Sequence, residues 1–352
     1  WASLMDSDNA PARDTFGLGK AFEMSADGLT YTWHLRRGLC FSDGHPLTAE
    51  DVLFSFEVGY DEKLHPVIQD LLSIGGKRFE VSAPDSYTVV TRIAKPNANM
   101  LGTMSSLRIL PRHVLEPVYR RGDFASAYAV TAAPESLVTS GAWRVKQFVQ
   151  NEKTVIEPNP YWYQVDANGR RLPYLDEVVF SAVPDQNTGA LRFTSGALDA
   201  LDNVKPEDYS TFAAGAKAGG YTVYDIGPAL QSNFYWFNLN KVRTATPGKK
   251  LGATQVDPVK YHWFSNPVFR RAVSMAVDRE ALIRGPYFGD GVKNWSTGTP
   301  GNKMWYTPEI GGYDYNPEES KRLLASLGWR DGNGDGVLED GRGNAIRVTL
   351  RR

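Results

Sequence analysis

The residues best suited to chemistry lie late in the sequence. Asp331-Gly332-Asn333-Gly334-Asp335-Gly336 puts side-chain oxygens at the first, third and fifth positions of a loop and glycine at the sixth. That spacing is how a calcium loop presents its oxygen ligands. Where such a loop carries its bidentate Glu, this chain has Arg342; Glu339 or Asp340 could serve only in a shorter loop. Asp331, Asn333 and Asp335 are therefore candidate calcium ligands, the alternative being an acidic surface turn between a helix and a strand. No other cofactor is expected.

A second concentration of chemistry is aromatic. The chain holds 9 Trp, 17 Tyr and 16 Phe. Such side chains offer wide contact area with few torsions to freeze, and Trp and Tyr add a polar handle. They are densest in Ser232 to Leu239 (SNFYWFNL), which reads as a strand. Alternation sends Tyr235 and Phe237 to one face and Phe234, Trp236 and Asn238 to the other. One face is core and the other is free for a ligand; the pattern does not say which.

The usual catalytic patterns are missing. There is no GxSxG elbow, HExxH pair, Walker loop or GxGxxG turn. The five histidines (His34, His45, His65, His113, His262) lack metal-ligand spacing. Cys40 is the one cysteine, so neither an internal disulfide framework nor a multi-cysteine metal site is possible. Asn294-Trp295-Ser296 matches a glycosylation acceptor, a pattern short enough to arise by chance. These absences favour a binding protein over an enzyme.

The elements that must position these residues can be read from periodicity. Leu29 to Leu35 alternates as a strand behind an Asp27-Gly28 turn. Phe41 to Gly44 is a further turn, and a helix starts with Thr48 as N-cap and Asp51 three residues on. Ser86 to Ile93 and Asp176 to Val183 read as strands, and Ala142 to Phe148 with Lys153 to Glu157 as a hairpin. Helices are expected over Asn99–Leu107, Ala190–Thr194, Asn266–Ile283 and Pro317–Leu327, and a last strand over Ile346–Leu350. Residues 1 to 20 show no clear periodicity, and Thr244 to Thr254 reads as a linker or long loop. No fixed-period repeat appears. Irregular alternation of strands and helices points to α/β or α+β with more than one sheet.

Composition bounds the rest. The chain has 352 residues, 42% hydrophobic and 22% charged, which predicts an ordered globular chain of two or three domains. Lys and Arg number 39 against 40 Asp and Glu, leaving a net charge of -1 and no footprint for nucleic acid. No apolar run approaches the roughly 18 to 20 residues of a membrane span. The chain starts at Trp1 without methionine, so an upstream segment is expected to be missing or processed.

Several segments resemble one family. DGLTYTWHLRRGLCFSDGHPLTAEDVLFSF (Asp27 to Phe56) is similar to the N-terminal motif of the family 5 extracellular solute-binding proteins, the oligopeptide-, dipeptide- and nickel-binding receptors of ABC importers. VTSGAWRVKQFV (from Val138), NPYWYQVDANGRRLPYLDEV (from Asn159), TSGALDAL (from Thr194), NPVFRRAVSMAVDREALI (from Asn266) and ESKRLLASLGWRDGNGDGVLEDGRG (from Glu319) follow in the family's order.

The resemblance implies an α/β, two-lobed periplasmic-binding-protein type II fold. Family members are much longer, so the chain is expected to be an internal fragment, incomplete at both ends. Residues 1–113 would form the small subdomain of lobe I, 114–262 its incomplete main part and 263–352 the start of a truncated lobe II. It further implies a receptor that captures a ligand, first of all a peptide, between two lobes and delivers it to a membrane permease. It would be a monomer when complete, periplasmic or extracellular, with a lipid anchor as one option. Oligosaccharides and metal chelates are the alternative ligands of the same family; a secreted hydrolase and a calcium-dependent interaction module are the readings outside it. The aromatic segment falls near the family's hinge and cleft, so Trp236, Asn238 and Tyr235 are the first candidates for ligand contact, followed by Ser140 and Gly141. Asp278-Arg279 is read as capping and anchoring its helix, and Asp43 as a turn residue.

Overall fold

In a computed structural model the chain is described over residues 1–8, 13–245, 247–303 and 306–349. It divides into two compact units, Trp1–Asp185 and Gln186–Arg352. The expected boundaries at 113 and 262 each fall inside a helix, Arg112–Arg121 and Pro258–Ser265.

The first unit is built on an antiparallel four-stranded sheet. A hairpin of β1 (Met5–Asp8) and β2 (Arg13–Phe16) leads into β3 (Gly19–Met24) and β4 (Thr30–Leu35). Helix α1 (Ala49–Gly59) follows, then the short pair β5 (Ser73–Ile74) and β6 (Lys77–Arg78), then β7 (Glu80–Asp85) and β8 (Thr88–Arg92). The sheet order is β3-β4-β8-β7. The alternation read in Leu29 to Leu35 is realised: Tyr31, Trp33 and Leu35 point inward. Trp33 is 1% exposed, and its indole Nε1–H donates to the buried Thr91 Oγ1 at 2.9 Å. Leu4, Met5 and Leu18 join this core, so the first twenty residues are ordered where the sequence shows no period. Strands of four residues are too short to display one.

Helix α1 begins as its sequence indicates. The Thr48 N–H donates to Asp51 Oδ2 at 2.8 Å, the acidic half of a capping box. Asp51 is buried and its Oδ1 also accepts the Arg112 N–H at 3.0 Å, clamping α1 to the start of α3 (Arg112–Arg121). Between them runs α2 (Met100–Ser106), and the short α4 (Phe124–Ala127) follows α3. The unit closes with a three-stranded antiparallel sheet of β9 (Trp143–Val149), β10 (Lys153–Pro158) and β11 (Val178–Ser181), ordered β11-β10-β9.

The second unit is helical: α5 (Gln186–Thr194), α6 (Pro206–Gly219), α7 (Pro258–Ser265), α8 (Pro267–Met275), α9 (Arg279–Arg284) and α10 (Pro317–Ser326). Proline opens α6, α7, α8 and α10, where its missing N–H costs nothing. Its core is aromatic, with Trp263, Phe269 and Trp329 buried together.

Three expectations are corrected here. The single helix over Asn266–Ile283 is two, because Asp278 caps instead of propagating: its Oδ1 accepts the Ala281 N–H at 2.8 Å. A short acidic side chain competes with helical backbone and favours such ends. Ile346 to Thr349 forms no strand. Ala345 makes an isolated bridge to Glu339, and Ile346 packs instead against the aromatic core; Leu350 lies outside the described residues. Ser232 to Leu239 forms no strand and pairs with none among the described residues.

Candidate functional site

The aromatic segment lacks a ladder because no strand among the described residues lies beside it. β-propensity describes how side chains fit a pleated surface; it does not supply a partner. The alternation of side chains survives nonetheless. Phe234 and Trp236 lie together with ring centroids 5.2 Å apart, and Tyr235 and Phe237 meet edge-on at 6.1 Å. Phe237 is the partly buried anchor, 5.1 Å from Phe264 and 5.5 Å from Phe269. The opposite face is open: Phe234 is 70% and Trp236 75% exposed. Of the other set, only Phe237 packs on the core, while Tyr235 remains 41% exposed. Asn233 Nδ2 donates to the Tyr287 hydroxyl at 2.5 Å, a second tether. Half-buried Asn238 accepts the Asn240 N–H at 3.0 Å and turns the chain. Burial raises the Tyr235 phenol pKa, against a smaller opposing effect of Arg279.

Ser140 and Gly141 belong to the other unit. Ser140 is buried; its hydroxyl donates to the Ile109 carbonyl at 3.0 Å and accepts the Ala2 N–H at 3.0 Å. The Gly141 carbonyl takes the Asn159 side-chain amide at 2.8 Å, and its N–H donates to Thr139 Oγ1 at 3.1 Å. Both residues are engaged in holding the corner before β9, because the entering chain must satisfy its polar groups once it is buried.

The second unit also carries a cavity of about 320 Å³ that periodicity could not reveal. Arg279 crosses it, its guanidinium 4.3 Å above the Trp295 ring, while its NH groups donate to the Ser274 carbonyl and hydroxyl at 3.0 and 3.1 Å. Lys293 joins Glu280 at 3.1 Å and Asp314 at 3.0 Å, and these contacts hold its ammonium pKa above the usual lysine range. The walls carry opposite charges side by side, which suits a polar or zwitterionic group. The residues come from a helix start and from a loop with no period, so only a search for unpatterned Lys, Trp and Asp could have marked them.

The acidic loop brings Asp331, Asp335 and Glu339 together, one carboxylate oxygen of each within 4.8 Å of the others. Asn333 turns its Oδ1 to the Asp335 N–H at 2.9 Å. Gly336 has φ of 81°, the left-handed conformation this position requires. Asp340 points elsewhere. It is buried, accepts Trp263 Nε1–H at 2.8 Å and binds the Asn344 side chain and backbone. Burial alone would raise its pKa, but these hydrogen bonds outweigh it and hold the carboxyl well below the usual range.

The described residues of the first unit include two acid–imidazole pairs: His34 meets Glu23 at 3.2 Å across the exposed edge of β3 and β4, and the second is more enclosed. Asp43 Oδ2 meets His113 Nε2 at 2.7 Å, and His45 stacks on His113 at 3.8 Å. The neighbouring Ser42 hydroxyl accepts the Thr139 N–H at 3.0 Å and makes no bond to the imidazole. The pair therefore lacks the nucleophile–base contact of a hydrolase. Asp43 also accepts the His45 N–H at 3.0 Å, the turn role read in the sequence.

Comparison with known proteins supplies the frame. Residues 16–351 match the family described as bacterial extracellular solute-binding proteins, family 5 Middle. A probable ABC transporter-binding protein of Deinococcus radiodurans is 28% identical over 345 residues, covering 95% of this chain and 55% of that protein. The oligopeptide-binding protein AppA of Bacillus subtilis is 26% identical over 342 residues, again covering 95% and 55%. The chain thus spans about 55% of the length of these curated relatives. Among solved structures, a mannohexaose-bound periplasmic oligopeptide-binding protein of Thermotoga maritima superposes with a TM-score of 0.69 at 23% identity, over 99% of this chain and 60% of that one. That likeness shows the fold, the α/β periplasmic-binding-protein type II architecture.

Proposed function

We propose a function that proceeds from one premise: the chain belongs to the bacterial extracellular solute-binding proteins of family 5. It is the recognition part of a receptor that captures a peptide outside the cytoplasm and hands it to the permease of an ABC importer. The observation that carries this reading is the family match along nearly the whole chain. The open aromatic face of Phe234 and Trp236, held from behind by Phe237, supports it as ligand-contact surface, with Asn238 and Tyr235 beside it. Wide, stiff aromatic faces bind many side chains without reading one sequence. The receptor is not an enzyme, acts as a monomer and works in the periplasm or outside the cell, with an N-terminal lipid as its anchor. No helix among the described residues is long and apolar enough to cross a membrane.

Oligosaccharide is the second reading, favoured by the same exposed Trp236 face, which a sugar ring can stack on. Native mass spectrometry of the protein expressed to its natural ends separates them. A ladder of short-peptide masses is the expected result. Masses spaced by hexose units would replace peptide with sugar, and a covalently altered product would replace the receptor with an enzyme.

A further inference from the structure

We infer that the cavity beside Trp295 in the second unit binds a small zwitterion, a molecule of amino-acid or dipeptide size that carries one ammonium and one carboxylate. The inference stands apart from the capture reading, because it does not depend on what the aromatic face takes. Size is the first observation behind it. The cavity holds about 320 Å³. That is the small end of the range for ligand pockets, with room for one or two residues rather than a long chain.

Charge is the second. Three basic and three acidic side chains line the cavity, so it has no net charge to draw in a simple ion. The charges are nevertheless unevenly paired. Lys293 is shared between Glu280 at 3.1 Å and Asp314 at 3.0 Å, so this trio keeps one negative charge in excess. The third acid, Asp278, accepts the Ala281 N–H as a helix cap. Arg279 directs its N–H groups to the Ser274 carbonyl and hydroxyl, and Arg284 makes no ion pair among the described residues. One space therefore offers a guanidinium that no carboxylate neutralises and carboxylates that one ammonium does not saturate. A guanidinium presents paired donors that match a carboxylate, and the excess acid suits a second ammonium. A ligand with both groups answers both deficits at once.

The third observation is the wall. The Arg279 guanidinium lies 4.3 Å from the Trp295 ring centre. A Cβ on residue 312 would overlap that ring, so Gly312 lets the chain pass against it and bring Asp314 and Tyr315 to the cavity. A ring fixed in this way gives a flat apolar surface for the carbon skeleton of the ligand.

The test titrates the whole chain, by calorimetry, with the dipeptide L-alanyl-L-alanine. Its N-acetyl form, which lacks the ammonium, and its C-terminal amide, which lacks the carboxylate, serve as the comparison. We expect one dipeptide bound per chain and each capped form bound roughly fivefold more weakly, the scale of one charged contact at a partly open site. Arg284→Gln should weaken the free dipeptide about as much and abolish the penalty for amidation. Asp314→Asn should abolish the penalty for acetylation, and both variants should keep native circular dichroism. No binding of the free dipeptide up to about 10 mM overturns the proposal. So does equal binding of the three forms, and so does unchanged dipeptide affinity in both folded variants, which would put the ligand elsewhere on the chain. A receptor whose captured ligand is a sugar would still bind the dipeptide here, so failure of the peptide reading and failure of this one are told apart.

Discussion

Two segments of this molecule carry the same message in sequence and end differently. Thr30–Leu35 (TYTWHL) and Ser232–Leu239 (SNFYWFNL) both alternate, and both are rich in aromatic residues. The first is the second strand of a four-stranded sheet, paired with β3 and β8, and it buries Tyr31, Trp33 and Leu35. The second keeps its side-chain alternation but has no ladder, and it buries mainly Phe237. Alternation fixes which side chains travel together; burial then depends on what the rest of the chain brings to each face.

The comparison can be broken most easily by hydrogen exchange. Backbone amides of Trp33 and its β4 neighbours should exchange orders of magnitude more slowly than those of Asn233 to Asn238. Equal protection would mean that the aromatic segment is paired in solution. Next comes Trp33→Ala, which empties a packed site and strands Thr91 Oγ1. It should cost about 4 kcal/mol in denaturant unfolding, and a loss under about 1 kcal/mol would show that the sheet does not depend on its alternating face. Phe237→Ala should cost about 2 kcal/mol, less because the ring is only partly enclosed. It should also loosen the presentation of Trp236, so tryptophan emission should shift to the red. Trp236→Ala is the smallest in stability, within about 0.5 kcal/mol, yet it should weaken ligand binding. Unchanged affinity would remove this face from the site.

The helical unit adds an acid test. Asp340 is held below its ordinary pKa by hydrogen bonds from Trp263 and Asn344. A lowered folded-state pKa gives stability that is present above the unfolded value, about pH 4 for an aspartate, and lost as pH falls through the lowered value. Acid titration followed by tryptophan fluorescence should show this loss, and Asp340→Asn should flatten it.

Much of the fold was legible because the signals were local. Thr48 and Asp51 mark a helix start whatever surrounds them, Asp27-Gly28 makes a turn on its own, and Pro267 and Pro317 announce two helices of the second unit, whereas α6 and α7, which also open on proline, went unread. The split at Asp278 was harder, since the apolar pattern runs through it and only the cap geometry ends α8. Site prediction fared unevenly for the same reason. Ser140 stands at a turn that suits a ligand contact, but its hydroxyl is engaged by Ile109 and Ala2, residues far away in sequence.

By itself the sequence determined the class of the molecule, its local starts and stops, the pairing of Phe234 with Trp236 and of Tyr235 with Phe237, and the oxygen-rich loop. These depend on backbone geometry and side-chain chemistry within a few residues. Tertiary structure alone decided that Phe237 is anchor and Trp236 open face, that Glu339 closes the acidic loop while Asp340 turns to Trp263, and that Lys293, Trp295 and Arg279 share a cavity. The anchoring of Phe237 on Phe264 and Phe269, the bond of Asp340 to Trp263 and the stacking of Arg279 on Trp295 join residues well separated in the chain, and burial, which sets their energy, exists only once the chain has folded.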